Sequence, residues 1–316
     1  MSQKGTYFDT VKSPKVLVDV WHARGNQGAV GAVEILARLA MKAGAKASSF
    51  GIFGAEKAGA PIMAFNRLSA NPIEAFYAPN RYDIVVILDP TIGGFTAGTH
   101  DETIFVVNTP KAPEVIAREL ELGPSRIIAV DATGIAGKLM KKGFQFPNTA
   151  MLGAVVHLFP ETTIEMLKET ISEASNLVEK GEEIVAINIK ATEEGYEKCQ
   201  EFDGRGTDIP KAKIIPLKVF NWWEFEPGGA IITTGNSHEK KTGTWRTERP
   251  VHMQKNCTDC MLCFQFCPDF CILVDDPKDP KKMLGFDYEH CKGCMICKTN
   301  CEFNAIASIP EARAKK

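Results

Sequence analysis

The sequence predicts two folds in one chain: an α/β domain built on a mostly parallel sheet, then a small, cysteine-rich α+β module. Two observations carry this expectation. Short apolar strands alternate with helical patterns over residues 1–203. Nine of the ten cysteines then fall between Cys257 and Cys301. A chain of 316 residues is long enough for two domains, because single cores stop growing below that size.

Taken in order, residues 16–20 read as a short apolar strand and 21–28 as a turn-rich stretch. A helix is expected over Ala29–Lys42, where Val30, Val33, Leu36, Ala37 and Ala40 recur at helical spacing. Further strands are expected at 62–68, 83–88, Ile104–Asn108 and 127–131, with helical patterns over 113–122, 134–142 and 149–180. Strands alternating with helices argue for a parallel sheet covered on both faces. From 204 to 250 the pattern is that of an extended connector, with no sustained periodicity. Its last run, residues 241–250, carries too many large and charged side chains for a loose tether. It reads as an ordered arm docked on a partner or on the first domain.

Residues 251–316 repeat themselves. Cys257, Cys260, Cys263 and Cys267 are matched in spacing by Cys291, Cys294, Cys297 and Cys301. Apolar segments follow each set, Ile272-Leu273-Val274 in one half and Ala305-Ile306-Ala307 in the other. This is an internal duplication, the mark of a pseudo-twofold module.

The bulk properties exclude several classes of function. A net charge of −2 offers no basic field to nucleic acid or to an anionic membrane surface. No apolar run approaches the roughly 18–20 residues needed to span a bilayer. The first fifteen residues lack the apolar core of a signal peptide, so a cytoplasmic protein is expected. In that compartment thiols stay reduced, and clustered cysteines read as metal ligands rather than disulfides.

The spacing specifies the metal. Three cysteines as C-x-x-C-x-x-C wrap one corner of a [4Fe–4S] cube, and in the duplicated pattern the fourth ligates the other cube. One cluster is therefore expected on Cys257, Cys260, Cys263 and Cys301, and the other on Cys291, Cys294, Cys297 and Cys267. Pro268 follows the fourth cysteine of the first set, whereas Glu302 stands there in the second. Zinc would use two C-x-x-C pairs and leave four cysteines unexplained. A purely structural pair of clusters is the other alternative, although folding alone would need only one. Cys199 and Cys271 read as small buried hydrophobes.

In the first domain, Arg24, Gly25, Asn26, Gln27 and Gly28 form a loop between a strand and a helix, where an anion could rest on backbone N–H groups. The spacing is G-x-x-G-x-x-G, not G-x-G-x-x-G, and no acidic residue lies where a ribose partner should be. A dinucleotide site is not expected. The glycines equally suit a tight turn and close helix packing. The loop is a candidate for facing a partner or cosubstrate.

Four motifs together resemble one family. They are Arg24 to Ala32, then Phe53-Gly54-Ala55-Glu56-Lys57-Ala58-Gly59-Ala60-Pro61, the helix start Asn148-Thr149-Ala150-Met151-Leu152-Gly153-Ala154, and Lys241-Thr242-Gly243-Thr244-Trp245-Arg246 with Arg249-Pro250. The first three resemble the gamma domain of 2-oxoacid:ferredoxin oxidoreductases, and the last resembles the entry to their delta subunit. The resemblance covers nearly the whole chain, as gamma then delta, fused. It implies a gamma-type α/β domain over 1–203, a connector or docking arm over 204–250 and a two-cluster ferredoxin domain over 251–316. The loop departs from the family pattern at Asn26, where a glycine is usual, and at His22-Ala23. Within the family, the fused chain resembles most the delta subunit of oxalate oxidoreductases.

The resemblance implies an electron-transfer subunit with no catalytic residue of its own. Separate alpha and beta subunits would bind thiamine diphosphate and Mg, with a further [4Fe–4S] cluster, as a dimer of heterotrimers. Electrons would leave through the two clusters here to a soluble ferredoxin-like acceptor. No G-D-G motif for thiamine diphosphate occurs in this chain, nor G-x-S-x-G, H-E-x-x-H or a Walker loop. Oxalate is split wholly to CO2, so no acyl group is left for coenzyme A. Pyruvate leaves an acetyl group that coenzyme A must accept. The competing function is a free-standing electron carrier with an α/β docking domain.

Overall fold

Alternation along the first strand sets the architecture of the larger unit. In the computed structural model, which describes residues 16–52, 59–75, 77–139, 146–214, 221–224, 226, 228, 230, 234–311 and 314, strand β1 is Leu17–Arg24. Leu17, Trp21 and Ala23 face one core cluster and Val20 faces another, so both sides of the sheet are covered. The strand runs four residues beyond its expected end at 20, through what looked like turn sequence. His22 and Arg24 are polar, yet both are buried, His22 edge-on against Phe95.

Helix α1 (Ala29–Lys42) follows with the expected bounds, and its buried face includes Val33, Leu36 and Ala40. Next come β2 (Lys46–Ile52), β3 (Pro61–Ser69), β4 (Ile84–Ile87), β5 (Ile104–Asn108), α2 (Pro113–Glu119), β6 (Arg126–Val130) and α3 (Ala132–Leu139). The expected helix over 149–180 is instead three: α4 (Asn148–Val156), α5 (Ile164–Ser172) and α6 (Ser175–Val178). Pro160 lies between the first two, and the Thr163 hydroxyl caps α5 by accepting the Met166 N–H at 3.2 Å. Helix α7 (Glu182–Lys198) and strand β7 (Gln200–Asp203) complete this unit's regular elements.

The seven strands lie in the order β2-β3-β1-β4-β5-β6-β7. Strands β1, β4, β5 and β6 are mutually parallel, while β2 pairs antiparallel with β3 and β7 with β6. The sheet is therefore mostly parallel, as expected. One face is covered by α1, α3, α4, α5, α6 and α7, and the other by residues that include Ile116 and Ala117 of α2.

The chain divides into two compact units, Met1–Ala58 with Ile62–Val219, and Gly59–Pro61 with Phe220–Lys316. The second holds β8 (Glu248–His252), α8 (Leu262–Gln265), β9 (Ile272–Val274), β10 (Met283–Phe286), α9 (Ile296–Thr299) and β11 (Ile306–Pro310). Strand β8 pairs antiparallel with β11, and β9 with β10. Among the described residues no helix is long and apolar enough to cross a membrane.

Candidate functional site

The duplicated sequence folds into duplicated backbone. Left-handed residues recur at matched positions, Asp259 and Gly293, Met261 and Met295, Phe270 and Asn304. Non-glycine residues rarely adopt φ near +55°, so five of them among six matched positions mark a backbone held by its surroundings. At the sixth, Gly293, a Cβ would stand 2.3 Å from the Glu248 carbonyl oxygen, so no other residue fits there undisturbed. Asp259 uses its side chain in that place, its Oδ1 accepting the Met283 N–H at 3.0 Å.

The two halves exchange strands. The entry strand of the first half, β8, pairs with the exit strand of the second, β11, and β10 pairs with β9 in the reciprocal way. Matched backbone bonds lock the exchange, Met253 N–H to Ala305 O and Asp287 N–H to Cys271 O, each 2.8 Å. The chain therefore carries the fourth cysteine of each half across to the other.

Two cavities result. Cys257, Cys260, Cys263 and Cys301 line one, together with Met283 and Phe303. Cys267, Cys291, Cys294 and Cys297 line the other, together with Cys271, Phe286 and Lys292. The middle cysteine of each triplet, Cys260 and Cys294, is exposed, and the others are partly or fully buried. Backbone N–H groups of Cys271 and Ala305 donate to the sulfurs of Cys267 and Cys301, both at 3.2 Å. Such bonds favour thiolate. Burial pushes the Cys263 thiol up to about 11 and the Cys297 thiol up to about 12, so metal binding there releases protons.

The donor set fits an iron–sulfur cube better than an ion. Four cysteines line the first cavity and five the second, all soft sulfur donors. Among the described residues no three His, Cys, Asp or Glu side chains converge closely enough to hold a single metal ion. Thiols spread around a space match a polynuclear group.

The described residues of the arm at 241–250 pack on this same unit. Gly243 N–H donates to Glu289 O at 2.7 Å, and the Thr242 hydroxyl to His290 O at 2.5 Å. Arg246, 4 % exposed, donates to the carbonyls of Tyr288 and Cys291 at 2.6 and 3.0 Å. A buried guanidinium needs all of these acceptors, which accounts for the run of large and charged residues.

The Arg24–Gly28 loop combines an inward-turned arginine with an exposed tip at Asn26. Arg24 points inward, its Nε donating to Asp89 Oδ2 at 2.8 Å and its Nη2 to the Thr91 hydroxyl at 2.7 Å. That ion pair is largely buried within this chain. Gln27 accepts the Arg24 N–H at 2.7 Å and ties the turn to the same aspartate. Asn26 is exposed at φ 74°, and Gly28 sits at φ 80°. Asn is among the side chains best suited to that backbone, so its presence keeps the turn a glycine would make. A Cβ on Gly28 would meet Asn148 Nδ2 at 2.6 Å, where that amide donates to the Gly28 carbonyl at 3.0 Å. The first and third family-like motifs thus touch. Of the second, residues 53–58 lie outside the described residues.

The sheet of one unit and the doubled cysteine cradle of the other define an α/β domain joined to a cysteine-rich module. The chain belongs to the pyruvate ferredoxin/flavodoxin oxidoreductase family, whose model matches residues 18–198. It is 39 % identical over 186 residues to the pyruvate/ketoisovalerate oxidoreductases common subunit gamma of Pyrococcus furiosus, covering 58 % of this chain and 97 % of that one. It is 41 % identical over 95 residues to pyruvate synthase subunit PorD of Thermotoga maritima, covering 30 % of this chain and 92 % of that one. The crystal structure of pyruvate oxidoreductase subunit PORC from Thermotoga maritima superposes with a TM-score of 0.51 at 32 % identity, over 59 % of this chain and 98 % of that one. The chain stands with these relatives among the subunits of oxidoreductases.

Cys271 is buried, as expected of a small hydrophobe, and it also forms part of the wall of the second cavity. Its place four residues after Cys267 was visible, but the fold-back that turns it inward was not. Cys199 does pack partly buried against the larger core.

Proposed function

We propose that this chain is the electron-transfer subunit, gamma and delta regions fused, of a thiamine-diphosphate-dependent 2-oxoacid:ferredoxin oxidoreductase. The observation that carries the proposal is the pair of cavities, lined by four and by five cysteines, on a chain whose first domain is of gamma type. Cys257, Cys260, Cys263 and Cys301 would hold one [4Fe–4S] cluster, and Cys291, Cys294, Cys297 and Cys267 the other. Bound there, the clusters would supply one-electron relay between the catalytic subunits and a soluble ferredoxin-like acceptor. This chain's own residues seat the cysteines, exclude water with Met283, Phe286 and Phe303, and hold the arm through Arg246. Thiamine diphosphate, Mg and a further cluster belong to alpha and beta partner subunits, arranged as a dimer of heterotrimers in the cytoplasm.

Two substrates have support. The fused order and the loop carrying Asn26 favour oxalate, oxidised to two CO2 without coenzyme A. The activities in the relatives' names favour pyruvate with coenzyme A. Turnover of the complex isolated anaerobically from its source decides between them. Ferredoxin reduction with oxalate alone supports the first, and reduction requiring both pyruvate and coenzyme A supports the second. Elution of the chain alone, without thiamine-containing partners, would leave the free-standing carrier as the function.

A further inference from the structure

At one matched position one cavity carries a thiol and the other only a methyl group. Four residues after the fourth cysteine of its set, the first half places Cys271 and the second places Ala305. Cys271 lies on the wall of the second cavity with Cys267, Cys291, Cys294 and Cys297, and Ala305 lies on the wall of the first. Both occupy the same backbone setting, each N–H donating to the preceding cysteine's sulfur at 3.2 Å. Ala305 shows that a methyl group suffices to pack this position. Cys271, a residue only 2 % exposed, instead adds a fifth cysteine to the lining of a site that needs four. Its thiol is engaged only weakly, 3.4 Å from the Asp269 carbonyl oxygen, a contact that an iron–sulfur bond readily replaces.

We propose that Cys271 is a reserve ligand of the second cavity, placed to take the iron position of Cys267 when that sulfur is lost or displaced. The proposal rests on reading the cavities as [4Fe–4S] sites. As the Cys271 sulfur bonds iron, its S–H bond breaks and the proton goes to solvent. The Cys267 sulfur, where present, leaves as thiolate and takes up a proton. No electron moves, so neither oxidant nor reductant is required. The first cavity has no such reserve, which makes the two sites unequal in resistance to loss of a ligand.

The test uses the full chain in its complex, prepared anaerobically, with iron, acid-labile sulfide and the reduced-state magnetic resonance spectrum as readouts. Wild type should hold about eight irons per chain, as two cubes require. Cys267→Ala should also hold about eight, with an altered spectrum for one centre, because a cube there keeps four ligands. Cys301→Ala and the double variant Cys267→Ala/Cys271→Ala should each fall to about four. Adding Ala305→Cys to Cys301→Ala should restore about eight, by transplanting the reserve. If Cys267→Ala loses as much iron as Cys301→Ala, or fails to accumulate where Cys301→Ala does, the proposal is overturned. If both fail to accumulate, the transplanted Cys301→Ala/Ala305→Cys chain should recover soluble yield, and its failure to do so overturns the proposal. Wild type with about four irons or fewer overturns the cluster reading as well, which separates the two failures.

Discussion

Arg246 grips Glu311 with two parallel bonds, Nε to Oε2 at 2.7 Å and Nη2 to Oε1 at 3.0 Å, across 65 residues of sequence. Arg249 binds the same carboxylate at 3.0 and 2.5 Å. The arm is thus tied to the far end of the cysteine unit, beside the Cys291 carbonyl. Burial alone would raise the Glu311 pKa, but the hydrogen bonds from Arg249 and Arg246 outweigh it and hold the carboxyl below its usual range.

Removing the guanidinium takes one of the two arginine partners of Glu311 and strips the carbonyls of Tyr288 and Cys291 of their buried donor. Arg246→Ala should destabilise the unit by about 3–5 kcal/mol, the range for breaking a buried pair. Arg246→Lys should recover little of this, because lysine cannot make the fork. Thermal unfolding of the full chain measures both. The sign with pH follows from the depressed carboxyl: the contribution is present above the unfolded-state value and is lost as pH falls through the folded-state value.

A second prediction concerns the crossing of α4 and α7. A Cβ on Gly153 would stand 2.1 Å from Thr192 O, and one on Gly195 2.0 Å from Ala150 O. The helices meet backbone to backbone, with the Thr192 hydroxyl donating to Thr149 O at 3.1 Å. Gly153→Ala and Gly195→Ala should each cost about 3 kcal/mol or more, at the upper end of overpacking penalties. Denaturant unfolding checks this, and a change under about 0.5 kcal/mol would contradict the contact.

Much of this was legible in the sequence, for identifiable reasons. Helix α1 was readable because one face is apolar at helical spacing, and the cysteine sets because metal ligation demands fixed intervals. Strands β2 and β7 went unread because they are the outer strands of the sheet, with exposed residues such as Lys46 and Gln200. Helix α7 went unread because buried Asn188 and Thr192 break its apolar stripe. They bond α4 instead, Thr149 Oγ1 donating to Asn188 Oδ1 at 3.0 Å. The role of Arg246 depends on Glu311, and no local pattern links residues so far apart.

A third prediction is a pH dependence. Asp19 is fully buried on β1, and burial raises its pKa to about 7 despite hydrogen bonds from Trp21 and Asn66. The native state therefore keeps a proton that the unfolded state has lost, and stability falls as pH rises from about 4 to about 7. Asp19→Asn should be close to neutral near pH 4 and more stable than wild type by about 2–4 kcal/mol above pH 7. His22 is pushed down to about 4 by burial and titrates alike in both proteins, so it cancels from the comparison. A gain independent of pH in thermal unfolding would refute the assignment.

A fourth prediction separates the two left-handed residues of the Arg24–Gly28 turn. Asn26→Gly should change stability by about 0.5 kcal/mol or less, since both residues suit that backbone. Gly28→Ala should cost about 1–3 kcal/mol, from φ 80° and from the Asn148 amide in the way. Chemical denaturation of the two variants side by side gives the ranking.

The crossed wiring of the two cysteine sets is the central claim, and reduced-state spectra of three variants test it most directly. Cys257→Ala, Cys291→Ala and Cys301→Ala are each prepared anaerobically in the full chain. The account predicts that Cys301→Ala loses the same centre as Cys257→Ala and keeps the one that Cys291→Ala loses. Loss in Cys301→Ala of the centre missing from Cys291→Ala would contradict it.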